Sequence, residues 1–331
     1  MIRLSARSIS PRFACAAALV ALTLPGMRVA AQDQAAAEVS APAPAAAPAF
    51  PKVEPGNFTA TTPTKETVNN FLQTIWGYDE SRVWQVQYIL KTPVEGVSKV
   101  IVYVGDKAGK QKPGVMEFYT MPDGKHIIAG NDIVPFGDKP FAETRAILEK
   151  RADGAYRGAA AKDLELVEFA DFQCPHCKAI QPNMEKLVAD FPKARFVFQP
   201  FPLTQIHPSA ATAAAYGYCV QKDAGNDAFF LFANTVFDGQ DGLNTPDGAT
   251  LTLNSAVTKA GLDPAKVALC ANSPAAKAEV ASWIKLANDL DINQTPTLAI
   301  NGHLIPVSEI PYDVLKQIIA YQAKQDGVKL Q

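Results

Sequence analysis

Two cysteines separated by two residues, Cys174 and Cys177, constrain the fold of this chain more than any other feature. They follow a largely apolar run from Leu164 to Phe172, which is typical of a buried strand. They begin a segment, from about Pro175 to Phe191, that is predicted to be helical. Because the chain passes from a strand into a helix at this pair, the first cysteine is expected at the helix N-terminus.

That position gives the pair its predicted chemistry. Unpaired N–H groups and the helix macrodipole favour an anion there, so Cys174 is expected to be a thiolate and the attacking sulfur. His176 adds a donor or a positive charge, and Cys177, one turn further on, is expected to resolve the intermediate. Half of a zinc site and an inert structural disulfide are the alternatives. The first lacks a second ligand pair, and Pro175 at a helix start is unusual for the second.

The chain after the pair contains further strand and helix patterns. A strand is expected over residues 195–199, and a hairpin later joins residues 297–300 to 304–305 across Asn301-Gly302. An amphipathic helix is expected at about residues 310–325. Between the strand and the hairpin, the sequence predicts helices at about residues 208–222, 226–237, 250–260 and 273–289.

The resulting order is βαβ, a helical block and ββα, which predicts an α/β, thioredoxin-like fold over residues 161–331. The inserted helical domain is expected at about residues 205–290. Residues 58–138 are predicted to form a small α+β domain, since a helical pattern precedes alternating apolar residues and a Pro-Asp-Gly turn. Residues 139–160 are predicted to hold a linking helix, from Phe141 to Arg151.

The N-terminus has the pattern of a secretory signal peptide. Arginines precede a short apolar run, from Phe13 to Leu24, and small residues lead to a predicted cleavage site after Ala31. The apolar run is too short to span a bilayer. Residues 32–57 are rich in Ala and Pro and are interpreted as a tether. We therefore expect a periplasmic or otherwise exported protein that is soluble after cleavage.

Of the five cysteines, Cys15 lies in the predicted signal peptide, and Cys219 and Cys270 lie in the helical block. In an oxidising compartment these two are expected to form a structural disulfide. Two buried thiols or a second redox pair are the alternatives.

Two further positions are candidate site residues. Glu168 lies six residues before Cys174 in an otherwise apolar stretch, so a buried carboxylate there could relay the Cys177 proton; a solvent-exposed strand-end carboxylate is the alternative. Thr295-Pro296 precedes a hairpin strand, and a cis bond there would bring Thr295 beside Cys174 as part of a substrate-binding site. A trans proline that merely starts the strand is the alternative.

The composition and the motifs argue against several other classes of protein. The chain has 48% hydrophobic and 19% charged residues, which is typical of a folded protein rather than a disordered one. A net charge of −2 implies no basic face, so no nucleic-acid partner is expected. The histidines are scattered, and His207 is interpreted as serving the start of the helix that follows it. We expect neither a metal nor a cofactor.

The segment from Glu168 to Cys177 resembles the active site of DsbA-type thiol:disulfide oxidoreductases. The resemblance implies that Cys174 is the exposed nucleophile, that Cys177 resolves, that Glu168 is buried and that Pro296 is cis and faces the pair. It covers about residues 163–325, and the helical insertion fits it.

Two departures point towards the DsbC and DsbG isomerases. Thr295 stands where DsbA proper usually has Val, and segments of the domain at residues 58–138 resemble the dimerisation domain of those isomerases. The resemblance to DsbA implies that the chain is a dithiol oxidase and that its substrates are reduced or misoxidised exported proteins. It also implies that a membrane redox partner reoxidises the chain. An isomerase or reductase that dimerises through residues 58–138 is the first alternative, and a periplasmic chaperone or peptide-binding module is the second.

Overall fold

The computed structural model describes residues 50–109 and 112–330 of the chain. The predicted signal peptide and most of the predicted tether lie outside the described residues. The described chain is divided into two units, each with its own sheet. The first contains residues 50–62, 81–122 and 127–134, and the second contains residues 63–80, 123–126 and 135–330.

The first unit is a five-stranded sheet in which each strand lies beside the next one in sequence. The strands are β1 (Arg82–Lys91), β2 (Ser98–Asp106), β3 (Gly114–Thr120), β4 (His126–Ala129) and β5 (Asp132–Pro135). In the first half of β2 every second residue is buried, which is the alternation of a strand with one covered face. The predicted hairpin is confirmed, because β3 and β4 pair antiparallel and the Asp123 carboxylate accepts from two backbone N–H groups of the turn.

The second unit carries a mixed five-stranded sheet covered by helices. Its strands are β6 (Ala155–Gly158), β7 (Glu165–Ala170), β8 (Arg195–Pro200), β9 (Thr297–Ile300) and β10 (His303–Pro306). Its helices are α1 (Lys65–Trp76), α2 (Ala142–Arg151), α3 (Pro175–Asp190), α4 (Ala210–Asp238), α5 (Pro246–Lys259), α6 (Pro264–Ala271), α7 (Pro274–Asp289) and α8 (Tyr312–Gln325). The strand order is β10-β9-β7-β8-β6, in which β7 and β8 are parallel and the other neighbours antiparallel.

Strand β7 lies in the middle of this sheet, and every one of its residues is buried. On one face Leu166 packs in a cluster with α3 and α8, and on the other Val167 and Phe169 pack with α2 and α7. A strand covered on both faces must be almost wholly apolar, which explains the apolar run from Leu164 to Phe172 in the sequence. The chain leaves this rigid centre directly into α3, where the cysteine pair lies.

The helical insertion packs around a third cluster, in which phenylalanines of α4 contact Phe172 and Phe198. Helix α4 is interrupted at Gly225, whose φ of 81° is accessible to glycine at little cost, and this agrees with the two helices predicted there. The predicted disulfide is confirmed, since Cys219 of α4 is bonded to Cys270 of α6.

Three features differ from the sequence prediction. The linking helix is present as α2 and ends at Arg151 as predicted, but β6, which follows it within residues 139–160, was not predicted. Gly154 allows this, because a Cβ there would lie 2.0 Å from the Phe198 carbonyl oxygen of β8. Helix α6 was not predicted. Helix α1 belongs to the second unit rather than to a domain ending at residue 138, and Gln73 of α1 donates to the Tyr321 hydroxyl of α8 at 2.9 Å.

Candidate active site

Cys174 and Cys177 lie at the start of α3, as the strand–helix pattern predicts. Cys174 is the N-cap residue, and Pro175 is the first residue of the helix, where its missing N–H costs no hydrogen bond. Both cysteines are free thiols, and Cys177 is fully buried. The resemblance implies an exposed Cys174, but Cys174 is only 4% exposed, because Thr295 lies against its sulfur. Pro175 and His176 between them are exposed.

The two thiols have opposite acidities. A hydrogen bond from the Cys177 thiol, assisted by Thr295 and by the backbone N–H groups of Cys177 and His176, lowers the pKa of Cys174 to about 5, although burial opposes this. Burial raises the pKa of Cys177 well above its ordinary value, and the neighbouring Cys174 raises it further. At neutral pH the pair therefore holds one thiolate, at Cys174, and one thiol, at Cys177.

The Thr295–Pro296 peptide bond is cis, as predicted. The carbonyl oxygen of Thr295 lies 3.6 Å from Cys174 Sγ. The Thr295 side chain lowers the pKa of both thiols, and its buried hydroxyl has no partner at hydrogen-bond geometry in the described part of the chain. Thr295 and Pro296 thus adjoin the cysteine pair.

Glu168 is fully buried in β7. Burial raises its pKa to about 7, although a hydrogen bond from Gln181 partly offsets the effect. Gln181 Nε2 lies 2.8 Å from Glu168 Oε1 and 3.1 Å from the Cys177 carbonyl oxygen, so one amide joins the carboxyl group to the backbone of the second cysteine. Glu168 Oε2 has no partner among the described residues. The group can therefore gain or lose a proton near neutral pH.

Asp171 was not predicted to be a site residue. Its carboxylate accepts hydrogen bonds from the backbone N–H groups of Gln173 and Leu203 and from His207 Nδ1, at 2.7, 2.8 and 2.7 Å. His207 was interpreted only as part of a helix start. An acidic residue in a buried stretch was the available signal for Asp171, but its partner His207 is 36 residues away.

Gln240 was also missed. It lies in a short 3₁₀ turn after α4, and its Nε2 donates to the carbonyl oxygens of Phe172 and Cys174, at 2.8 and 2.9 Å. The helical insertion therefore fixes the loop that carries the first cysteine. Glutamine carries no periodic signal, and nothing in the sequence near Gln240 points to a loop 66 residues earlier.

Within residues 50–109 and 112–330, no group of three or more His, Cys, Asp or Glu side chains is placed to hold a metal ion. Over the same ranges no helix has the length and apolar character needed to cross a membrane.

Comparison with known proteins assigns the class. A family model described as thioredoxin matches residues 150–320, which is more than half of the chain. The chain belongs to the thioredoxin family, and the predicted thioredoxin-like fold is confirmed.

The chain is similar to parts of proteins of different sizes. A Na⁺/H⁺ antiporter NhaA 3 of Salinispora tropica is 29% identical over 146 residues, which is 44% of this chain but 21% of the antiporter. The chain thus spans about a fifth of that relative's length. A probable disulfide bond formation protein D of Bacillus cereus is 25% identical over 169 residues, which is 49% of this chain and 75% of that protein.

Among solved structures, the thiol-disulfide exchange protein alpha-DsbA2 of Wolbachia pipientis is similar, with 20% identity and a TM-score of 0.45. The match covers 54% of this chain and 95% of that one. The resemblance stated from the cysteine motif is confirmed, in that the chain shares its family with proteins of disulfide chemistry.

Proposed function

We propose that this chain is an exported thiol:disulfide oxidoreductase that oxidises pairs of thiols in folding proteins through Cys174 and Cys177. The observation that carries the proposal is the opposite acidity of the two sulfurs, with the pKa of Cys174 lowered to about 5 and that of Cys177 raised. A sulfur of low pKa is a good leaving group, so a mixed disulfide at Cys174 is readily broken by a second substrate thiolate, and the reduced chain is stabilised as the Cys174 thiolate.

The oxidised form, with a Cys174–Cys177 disulfide, begins the reaction. A substrate thiolate attacks Cys174 Sγ and forms a mixed disulfide, while Cys177 leaves and takes up a proton. A second substrate thiolate then attacks the substrate sulfur of the mixed disulfide, and Cys174 leaves as a stable thiolate. The substrate loses two electrons and gains a disulfide, and the chain is left as the dithiol. Glu168, whose pKa is about 7, is proposed as the group that exchanges the Cys177 proton.

A signal-peptide pattern and a structural disulfide support the proposed export. Residues 1–31 have the pattern of a signal peptide, and the Cys219–Cys270 disulfide is of the kind that persists in oxidising compartments. Reoxidation requires a disulfide or quinone-linked partner, for which a membrane redox protein is proposed. The family relative of Bacillus cereus bears the description of a disulfide bond formation protein, which is consistent with exported protein substrates.

Isomerisation is the second candidate, favoured by Thr295. Its hydroxyl lowers the pKa of both thiols, which keeps a thiolate at Cys174 available to attack a substrate disulfide once the chain is reduced. Such an enzyme would attack a wrong substrate disulfide with the Cys174 thiolate and release it after rearrangement. Dimerisation through residues 58–138 is proposed to accompany this activity.

Two assays on one model substrate distinguish the candidates. The purified chain is oxidised and mixed with a reduced multi-disulfide protein, and in parallel it is reduced and mixed with the scrambled form. Fast oxidation with poor reshuffling supports the oxidase, whereas good reshuffling, together with a dimer on gel filtration, supports the isomerase. Cys174→Ser should abolish both activities, and the matched variant Cys177→Ser should trap mixed disulfides. Full activity in Cys174→Ser would reject thiol exchange at this site.

A further inference from the structure

Asp171 is a buried acid between the sheet and the cysteine pair. It follows the last residue of β7, and its side chain is fully buried. Burying a carboxylate is costly unless its oxygens are paired. Here Oδ1 accepts from Gln173 N, and Oδ2 accepts from Leu203 N and His207 Nδ1. Three donors from two separate segments hold the group in one orientation.

The backbone of the same residue contacts both cysteines. The Asp171 N–H donates to Cys177 Sγ at 3.4 Å, and the Asp171 carbonyl oxygen accepts from Cys174 N at 3.1 Å. Because the side chain is fixed, the direction of this N–H is fixed as well. A donor that already points at a sulfur needs no reorganisation when negative charge develops there.

Cys177 is the sulfur that needs such a donor. It is fully buried, so the thiolate that must form when it attacks has little access to water. The Asp171 N–H lowers the pKa of Cys177 against this effect of burial. The Cys174 thiolate, in contrast, has several donors at the helix start.

We infer that Asp171 and His207 form a positioning pair that directs the Asp171 backbone N–H at Cys177 and thereby speeds the step in which Cys177 resolves a mixed disulfide. The inference rests on the proposed exchange through Cys174 and Cys177. In the proposed oxidation Cys177 is the sulfur that leaves when a substrate attacks Cys174, and resolution by Cys177 is the reverse of that step. The pair therefore acts on the making and breaking of the bond to Cys177, whereas the helix N-terminus acts on Cys174.

His207 completes the arrangement. A carboxylate only accepts hydrogen bonds, so Nδ1 carries the proton in the contact with Asp171. The His207 side chain is 15% exposed, whereas the Asp171 side chain is fully buried, so the imidazole lies between the carboxylate and the solvent. An asparagine at position 207 can place its amide nitrogen close to the position of Nδ1, whereas phenylalanine keeps the ring and loses the donor.

The test separates the two steps with oxidised glutathione as the probe. The reduced full chain attacks glutathione disulfide through Cys174, which forms the Cys174–glutathione bond and releases one glutathione thiolate. Cys177 then attacks Cys174 Sγ, the bond to glutathione breaks, and the leaving glutathione takes up the proton that Cys177 loses. Acid quenching at timed intervals followed by mass spectrometry gives the rate of each step.

Asp171→Asn replaces one acceptor oxygen by an amide that cannot accept from its neighbours. We expect resolution to slow about tenfold, the usual scale for losing a hydrogen bond to a charged group, while the first attack stays within about twofold of the natural chain. His207→Phe should slow resolution about threefold, and His207→Asn should restore it. If Asp171→Asn does not fold, the His207 variants still test the inference.

Several results would overturn the inference. Resolution at the natural rate in both Asp171→Asn and His207→Phe would do so, as would equal slowing of both steps, or a His207→Asn variant no better than His207→Phe. If the natural chain forms no mixed disulfide with glutathione, the proposed function fails together with the inference. If the mixed disulfide forms and resolves equally fast in every folded variant, the inference alone fails.

Discussion

The two cysteine pairs border the same apolar cluster, yet their places in the helices give their sulfurs opposite chemistry. Cys174 is the N-cap of α3, where the helix dipole favours a thiolate. Cys270 is the next-to-last residue of α6, near the negative end of that helix, and Cys219 lies inside α4. A disulfide whose thiols leave poorly resists exchange. Position within a helix therefore distinguishes the reactive pair from the structural one.

Removing the structural pair is expected to have the largest effect on stability. In Cys219→Ala with Cys270→Ala, the unfolded chain is released from a crosslink between residues 51 apart, which lowers the free energy of unfolding by about 4 kcal/mol on the chain-entropy estimate. Urea unfolding measures this loss. Thiol exchange at Cys174 should be unchanged under conditions where the variant is folded.

The single variant Cys219→Ala is the matched control, because it opens the same crosslink and should lose a similar free energy. A loss below about 1 kcal/mol in both variants would show that the insertion holds together without its disulfide. A change in the pKa of Cys174 would show that the two pairs are not independent.

Glu168, the buried carboxyl group in the strand before the reactive pair, is expected to have the next largest effect on stability. Burial raises the pKa of Glu168 from 4.5 to about 7 in the folded chain. The folded state therefore binds the proton more tightly than the unfolded state, so stability is greatest below the unfolded pKa and falls as pH rises towards 7. Glu168→Gln removes this dependence and should gain about 3 kcal/mol over the natural chain between pH 4 and pH 8.

Urea unfolding of both chains at these two pH values measures the difference. Glu165→Gln is a matched control on the same strand, where Lys162 and Arg195 partly offset the effect of burial on the carboxyl pKa. Its gain should be smaller. Equal gains in the two variants would contradict a special environment for Glu168.

Much of the fold could be predicted because its signals are local. The strand before Cys174, the helix after it and the Asn301-Gly302 turn each follow from a few neighbouring residues, and both turn residues have positive φ, as a two-residue hairpin of this type requires. Strand β6 could not be predicted in this way. It has four residues at a sheet edge and depends on β8, which is distant in sequence.

The same distinction applies to the site. The two cysteines, Glu168 and the cis proline are marked by their spacing and by the strand that carries them. Asp171 has a partner 36 residues away, and Gln240 acts on a loop 66 residues away, so their roles depend on how the helical insertion folds back over the sheet. The local sequence around Asp171 and Gln240 does not indicate these distant contacts.

The smallest expected effect tests how the reactive pair is tuned. Thr295→Val keeps the shape of the side chain but removes the hydroxyl that lowers the pKa of Cys174. We expect that pKa to rise by about half a unit, or about 0.7 kcal/mol, as for the loss of one ordinary hydrogen bond. The ultraviolet absorbance of the thiolate against pH measures the midpoint. Thr297→Val is the control, because its hydroxyl donates to the Gln294 carbonyl oxygen, and its midpoint should not move. A midpoint unchanged in Thr295→Val would assign the lowered pKa of Cys174 to the Cys177 thiol and the backbone N–H groups at the helix start, whereas a rise would make Cys174 a poorer leaving group and the chain a weaker oxidant.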